Sequence, residues 1–321
     1  MDLYVRAFWL PKAGNSADEY EDAFDYSLAE RRFAIADGAT ESSFAKRWAR
    51  SLVQGFTDSP GFLSVHPGNS RAELWQEGSF VGRWARSLVR RISDSPRFLS
   101  APHRDFCREL QKWLEPLQQS WRESIEWETL QWFSLAKAQA GAFSSLLGLI
   151  FVEGELPRVE RETSRVKRQT SSVKRETCKC WRWQAVAIGD SCLFQVSNGK
   201  ISTAFPIEHA GQFDNRPFLL SSIPSSNQRV WGEVRFNVGD CQYDDLFILA
   251  TDALAEWILI QYESGAKPWA TLCDLSMEGD FASFITDLRQ RGSIRNDDVT
   301  LLIVRLDPGD SRSEQPPGPL F

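Results

Sequence analysis

Acidic residues close or open apolar, strand-like runs at four distant points of this chain. Arg32-Phe33-Ala34-Ile35-Ala36 runs into Asp37-Gly38, and a helix is expected soon after. A carboxylate at the end of a buried strand is held rigidly by the sheet while its head faces a cleft. Gly38, with no Cβ, lets a ligand approach the backbone closely. One Asp-Gly also marks ordinary turns, so its weight depends on its company. Asp245 to Thr251 is a second apolar run, ending in Asp252, and Arg295-Asn296-Asp297-Asp298 leads into Val299 to Val304. Upstream, Glu19-Tyr20-Glu21-Asp22 precedes the strand pattern Ala23 to Leu28. If these strands share one pair of sheets, their acids converge. Clustered carboxylates repel and take up protons unless a cation sits among them. Oxygen-only ligands select hard ions such as Mg²⁺ or Mn²⁺.

Five short motifs occur in a familiar order: Glu21-Asp22, Phe33-Ala34-Ile35-Ala36-Asp37-Gly38, Ala187-Ile188-Gly189-Asp190-Ser191, Ile248-Leu249-Ala250-Thr251-Asp252 and Asp297-Asp298-Val299-Thr300. In them, from about Gly14 to Leu306, the chain resembles the metal-dependent protein phosphatases of the 2C (PPM) type, most of all their divergent bacterial branch. The resemblance implies an α+β fold, a four-layer α-β-β-α sandwich of two antiparallel sheets with a metal site at one edge between them. It implies two Mn²⁺ or Mg²⁺ ions bridged by Asp37, with Asp252 and Asp297 completing one shell. Glu21 and the Gly38 carbonyl would hold the other ion, with Asp22 in support, and Asp190 would support the fold. Asp37, Asp252 and Asp297 are then the catalytic set. Two metals about 3.5–4 Å apart can generate a hydroxide near neutral pH and neutralise charge on a phosphoryl group. The implied activity is phosphoester hydrolysis by a metal-bridging hydroxide, on serine/threonine phosphoproteins. The chain has no Cys-Arg nucleophile motif.

The chain also departs from that family. Many members have a histidine after Asp-Gly to protonate the leaving group, where this chain has Ala39-Thr40. Its three histidines, His66, His103 and His209, are expected on the surface or in loops. Many members hold phosphate with an arginine four residues before the Glu of Glu-Asp; Ala17 stands there, and Arg6 or Lys12 is the candidate replacement. Ala253 replaces a frequent glycine. The rival readings are a weak or inactive phosphatase-like binding and regulatory module, which the missing Arg and His favour, and a small-molecule phosphatase. The retained acids oppose the inactive module, because a dead site has no need of mutually repelling carboxylates.

The chain must supply elements that position these groups. Its 321 residues, 42% hydrophobic and 25% charged, suit one soluble domain over 1–308. A net charge of −6 gives no reason to expect nucleic-acid binding. No leader is visible at Met1-Asp2, and the longest apolar stretch, Ala140 to Val152, is too short to span a bilayer. Six scattered cysteines suggest reduced thiols in a cytoplasmic protein, a monomer is expected, and Cys178-Lys179-Cys180 lacks a second ligand pair for zinc. Strands are expected at residues 3–10, 23–28, 32–36, 142–152, 183–188, 192–197, 230–238, 245–251 and 299–304. Helices are expected from about Ser42, where Phe44, Trp48 and Leu52 form a stripe. Others are expected over His103 to Ala138, with Pro116 as a candidate break or kink, and one or two over Ala253 to Arg291. Ser202 to Arg229 reads as a mobile loop over the cleft, a possible lid.

Two segments look added. Phe44 to Ser64 recurs as Phe80 to Ser100, displaced by 36 residues with 14 of 21 positions identical. Two copies are too few for a solenoid, so about 65–100 reads as a duplicated helix-loop insertion. The run at about 154–181 is basic and low in complexity, with Val159, Val166 and Val173 at seven-residue spacing. Without an apolar a/d pair it is a poor coiled coil and reads as a hairpin loop. Residues 309–321, rich in Pro, Gly, Ser and Glu, are expected to form a disordered tail.

Overall fold

The computed structural model describes residues 2–40, 42–59, 101–157, 177–214 and 216–307, with backbone alone at 101–105, 154–157 and 177–180. The duplicated copy at 65–100, the tip of the basic hairpin and the tail at 309–321 lie outside the described residues.

Twelve strands are described: β1 (Asp2–Leu10), β2 (Ala23–Ser27), β3 (Arg32–Ala36), β4 (Phe143–Ser144), β5 (Leu146–Pro157), β6 (Thr177–Ile188), β7 (Cys192–Ser197), β8 (Lys200–Phe205), β9 (Leu220–Ser221), β10 (Arg235–Cys241), β11 (Leu246–Ala250) and β12 (Val299–Asp307). The helices are α1 (Ala45–Asp58), α2 (Ala101–Glu123), α3 (Trp132–Ala140), α4 (Asp252–Glu263), α5 (Pro268–Asp274) and α6 (Glu278–Gln290). One five-stranded sheet has the order β1-β12-β11-β7-β8, the other β10-β6-β5-β3-β2, and every neighbouring pair is antiparallel.

Strand alternation builds the layers, since successive side chains point to opposite faces. In β3, Phe33 and Ile35 face the other sheet while Ala34 and Ala36 face helices. In β11 the division is Phe247 and Leu249 inward, Ile248 and Ala250 outward, and in β12 Leu302, Val304 and Leu306 inward, Leu301 and Ile303 outward. The inward sets, with Leu147, Leu149, Phe151 and Trp183, make the core between the sheets. The central strands β3, β11 and β12 are thus apolar on both faces, which is why these runs read as nearly continuous hydrophobic stretches. On one outer face, Trp48, Leu52 and Phe56 of α1 and Leu110, Leu114 and Trp121 of α2 pack over Ala34, Ala36, Val186 and Ile188. Small residues there let the helix come close: a Cβ on Gly148 would lie 2.4 Å from the Phe56 ring. Residues of α4, α5 and α6 cover the other outer face. The four-layer sandwich of two antiparallel sheets expected from the resemblance is the observed one, and among the described residues no helix is long and apolar enough to cross a membrane.

Several expectations need correction. The segment Ser202 to Arg229 is not a free lid. Its start is β8, which pairs with β7 across a turn at Asn198-Gly199, both at positive φ (53° and 70°). Asn-Gly between strands is a strong hairpin signal, one that the expectation of a loop neglects. Its middle is tied down at β9, which pairs with β4, and the buried Asn227 side chain bonds both the N–H and the C=O of Ser221. Residues 230–232 form a turn of 3₁₀ helix rather than strand. The long helical stretch breaks after Glu123, not at Pro116, which lies inside α2. Helix α1 starts three residues late because Phe44 takes a left-handed conformation at φ 64°.

Candidate metal centre

Antiparallel pairing dictates where the acids meet. In one sheet the end of β3 lies beside the start of β2, Ala36 opposite Ala23, so Asp37 sits near Glu21-Asp22. In the other sheet the end of β11 lies beside the start of β12, Ala250 opposite Leu301, bringing Asp252 near Asp297-Asp298. The turn Gly189-Asp190-Ser191 joins β6 of one sheet to β7 of the other, crossing between them at this edge. It is tight: Gly189 has φ 95°, and a Cβ there would lie 2.6 Å from Ser145 Cβ.

Carboxylate oxygens of Asp37, Asp190 and Asp252 lie within 4.8 Å of one another. The structure therefore brings together two of the expected ligands with one that sequence reasoning set aside as structural. Asp190 carries the signal already used for Asp37, an apolar strand running into an adjacent Gly and Asp. Asp37 is oriented through its backbone: its N–H donates to Ser145 Oγ (2.9 Å), and its carbonyl accepts from Ser145 N–H and Ser144 O–H, both at 2.8 Å. Ser145 Oγ in turn pairs with Ser191 Oγ at 2.8 Å, linking the Asp37 and Asp190 supports. Gly38 is glycine for a packing reason, since a Cβ would lie 2.6 Å from the Glu21 carbonyl oxygen.

Asp252 opens α4, where the exposed amides of a helix start favour a carboxylate. Its Oδ2 accepts from Arg295 Nη2 at 2.8 Å. Asp22, buried, accepts from Thr300 Oγ1 at 2.7 Å. Thr300 gives its proton to Asp22, so the hydroxyl of Tyr20, which pairs with Thr300 Oγ1, is the donor of that second bond. Asp298 does structural work: its Oδ1 accepts the Lys12 N–H (2.8 Å) and its Oδ2 the Glu21 N–H (2.7 Å). Asp297 is more exposed and lies 3.8 Å from Lys12 Nζ, which also approaches Glu21 (3.9 Å) and donates to Thr40 Oγ1 (2.8 Å). Of the two candidate cations only Lys12 reaches the site; Arg6 is committed to the carbonyls of Cys273 and Leu275. His209 is exposed beside Glu263.

The electrostatics suit a cation. Burial, then the charges of Asp22, Asp252, Asp190 and Asp297, push the Asp37 carboxyl well above its ordinary range. Burial dominates at Asp22 too, opposed by the Thr300 hydrogen bond. Burial and the Asp252 charge raise Asp190 to about 7. Asp252 is raised by burial against the pull of Arg295, and Glu21 by burial against Thr40 and Lys12. Asp22 Oδ1 and Glu21 Oε2 are buried with no hydrogen-bond partner. Orphaned buried carboxylate oxygens beside an all-oxygen triad fit Mn²⁺ or Mg²⁺.

This crowding makes stability depend on pH. A carboxyl whose folded pKa is raised binds more protons in the folded state, so stability falls as pH rises between the unfolded and folded values. For Asp190 that window runs from its ordinary 3.8 to about 7. The metal-free protein should therefore melt several degrees higher at pH 5.5 than at pH 8, and Mn²⁺ should flatten this slope. A metal-free melting temperature that climbs from pH 5.5 to pH 8 would mean the acids are not crowded.

No protein-family model and no curated protein sequence matches the chain. Among solved structures it is similar to the serine/threonine phosphatase Stp1 of Staphylococcus aureus, at 11% identity over 96% of each chain with a TM-score of 0.51. It is also similar to the Mycobacterium tuberculosis serine/threonine phosphatase PstP/Ppp, at 13% identity over 96% of this chain and 100% of that one, TM-score 0.48. At such identities the likeness bears on fold alone, and the fold is that of the phosphatase 2C sandwich.

Proposed function

We propose that this protein is a metal-dependent phosphoester hydrolase acting on serine/threonine phosphoproteins, holding two Mn²⁺ or Mg²⁺ ions at the acid cluster. One observation carries the reading: Asp37, Asp190 and Asp252 converge from both sheets, flanked by buried oxygens of Glu21 and Asp22 that accept no hydrogen bond. Asp37, Asp252 and Asp297 are assigned as the catalytic metal ligands, with Glu21, Asp22 and the Gly38 carbonyl at the second ion and Asp190 added to the set. Bound there, the ions would supply Lewis-acid charge to the phosphoryl oxygens and lower the pKa of water. The protein's own part is to fix the carboxylates through the serines and Thr300, and to hold Lys12, bonded to Thr40 and near Glu21 and Asp297, as a cation for an anionic substrate. Four described cysteines are free thiols, which supports a cytoplasmic protein. A monomer remains part of the proposal.

The direct test is hydrolysis of an aryl phosphate with and without Mn²⁺. Among the described residues no histidine stands beside the acids to protonate a leaving group. We therefore expect kcat/KM to be higher for aryl phosphates than for phosphoserine peptides, whose alkoxide leaving group needs a proton. Equal rates, with an acidic limb near the pKa of histidine, would mean another residue supplies that proton. Mn²⁺ binding without any hydrolysis would favour the regulatory-module reading, as the missing Arg and His do.

A further inference from the structure

Arg295 holds two acids of one helix at once. Its Nη2 donates to Asp252 Oδ2 at 2.8 Å and its Nε to Glu256 Oε2 at 2.9 Å. Asp252 and Glu256 are four residues apart on α4, hence on one helix face. The guanidinium is planar and always charged, so it fixes the plane of a carboxylate in a way an ammonium does not. Arg295 is two-fifths exposed, whereas the Asp252 side chain is 10% exposed, so the arginine grips the acid from the rim of the cluster. Among the described residues it makes no hydrogen bond to Asp37 or Asp190. Asp252 Oδ1 accepts from the amide of Ala253. Each carboxylate oxygen has a second lone pair, so these two donors set the orientation of Asp252 and leave it able to accept a cation.

We infer that the Arg295–Glu256 pair is a positioning device that aims the Asp252 carboxylate at the metal; this rests on the metal reading above. The opposite effect must be weighed, because a bare arginine beside a metal ligand would repel the ion. Glu256 decides between them. Its charge offsets part of that of the guanidinium, so the arginine still pulls on Asp252 while its repulsion of an ion is reduced, and orientation outweighs repulsion. Outer partners of metal ligands typically tune affinity by about 10–100-fold.

The test is calorimetric titration of the full chain with Mn²⁺ alone, together with the Mn²⁺ electron paramagnetic resonance spectrum and the unfolding midpoint of each metal-free variant. Arg295→Gln should weaken Mn²⁺ affinity about 10–100-fold and broaden the spectrum, because Asp252 loses its fixed orientation. Arg295→Lys should recover part of the affinity, since an ammonium reaches one acid but not the fork. Glu256→Gln, which unmasks the arginine's charge, should also weaken binding. If Arg295→Gln unfolds, the lysine and glutamine variants carry the same question. Unchanged or tighter Mn²⁺ binding in folded Arg295→Gln, or in folded Arg295→Lys and Glu256→Gln, overturns the positioning role while leaving the metal reading intact. A wild-type chain that takes up no Mn²⁺ at millimolar concentration overturns both.

Discussion

Asp37→Asn is expected to abolish Mn²⁺-dependent turnover, by about 10³-fold or more. The metal supplies several kcal/mol of transition-state stabilisation, and each 1.36 kcal/mol is tenfold in rate. Asp37 stands at the junction of the cluster: Asp22, Asp252, Asp190 and Asp297 all act on its carboxyl, and its oxygens converge with those of Asp190 and Asp252. Asparagine keeps the shape and removes the charge on which a shared cation depends. The metal-free protein gives the more diagnostic readout. Among the described residues the Asp37 side chain accepts no hydrogen bond, its anchors being backbone ones to Ser144 and Ser145. Removing a repelled charge therefore costs no contact, and the variant should unfold at a higher temperature than wild type at pH 8. Loss of both activity and metal-free stability would instead mean that Asp37 holds the fold together and that the cluster is structural.

How legible each residue is in the chain depends on the use the fold makes of it. Asp37 and Asp252 can be found because each ends a run that is apolar on both faces, which has few places to go except a buried strand, while the Glu21-Asp22 pair opens the shorter, half-exposed edge strand β2. The layers are legible for the same reason. Asp190 is not assigned as a ligand from sequence, although it has the same strand-then-acid pattern. Its role depends on β6 and β7 belonging to different sheets, so that their connecting turn crosses the cleft edge. Neighbouring strands usually pair with each other, and nothing local announces the exception. The Arg295 grip is equally hidden, since it joins residues 43 positions apart in sequence. The hairpin at Asn198-Gly199, by contrast, is readable, and only the many serines between Ser202 and Arg229 disguise it as the start of a loop. Helix α2 running through Pro116 shows packing overruling propensity: Leu114 and Gln118 on either side of it are both buried.

Asp297 and Asp298 give the sharpest remaining separation, because neighbours entering a strand point to opposite sides. From sequence alone, Asp298→Asn is expected to affect metal affinity and turnover much less than Asp297→Asn. The structure gives it another task, since its two oxygens accept the amides of Lys12 and Glu21, pinning the loop after β1 and the start of the acidic pair. Asparagine offers one acceptor oxygen and turns an NH₂ toward the other amide. Losing a hydrogen bond to a buried charge costs about 1.5–3 kcal/mol, so Asp298→Asn should lower stability clearly. Asp297 is more exposed, lies 3.8 Å from Lys12 Nζ, and its charge is among those that raise Asp37, Asp190 and Asp252, which is why it is proposed as the ligand of the two. Asp297→Asn should leave metal-free stability within about 0.5 kcal/mol of wild type. It should weaken Mn²⁺ by about tenfold or more, because affinity for hard cations follows the charge of the ligand set. Denaturant unfolding without metal and calorimetric titration with Mn²⁺ measure the two effects independently. If Asp298→Asn loses the metal at full stability while Asp297→Asn keeps both, the ligand is Asp298, and Asp297 belongs to the surface beside Lys12.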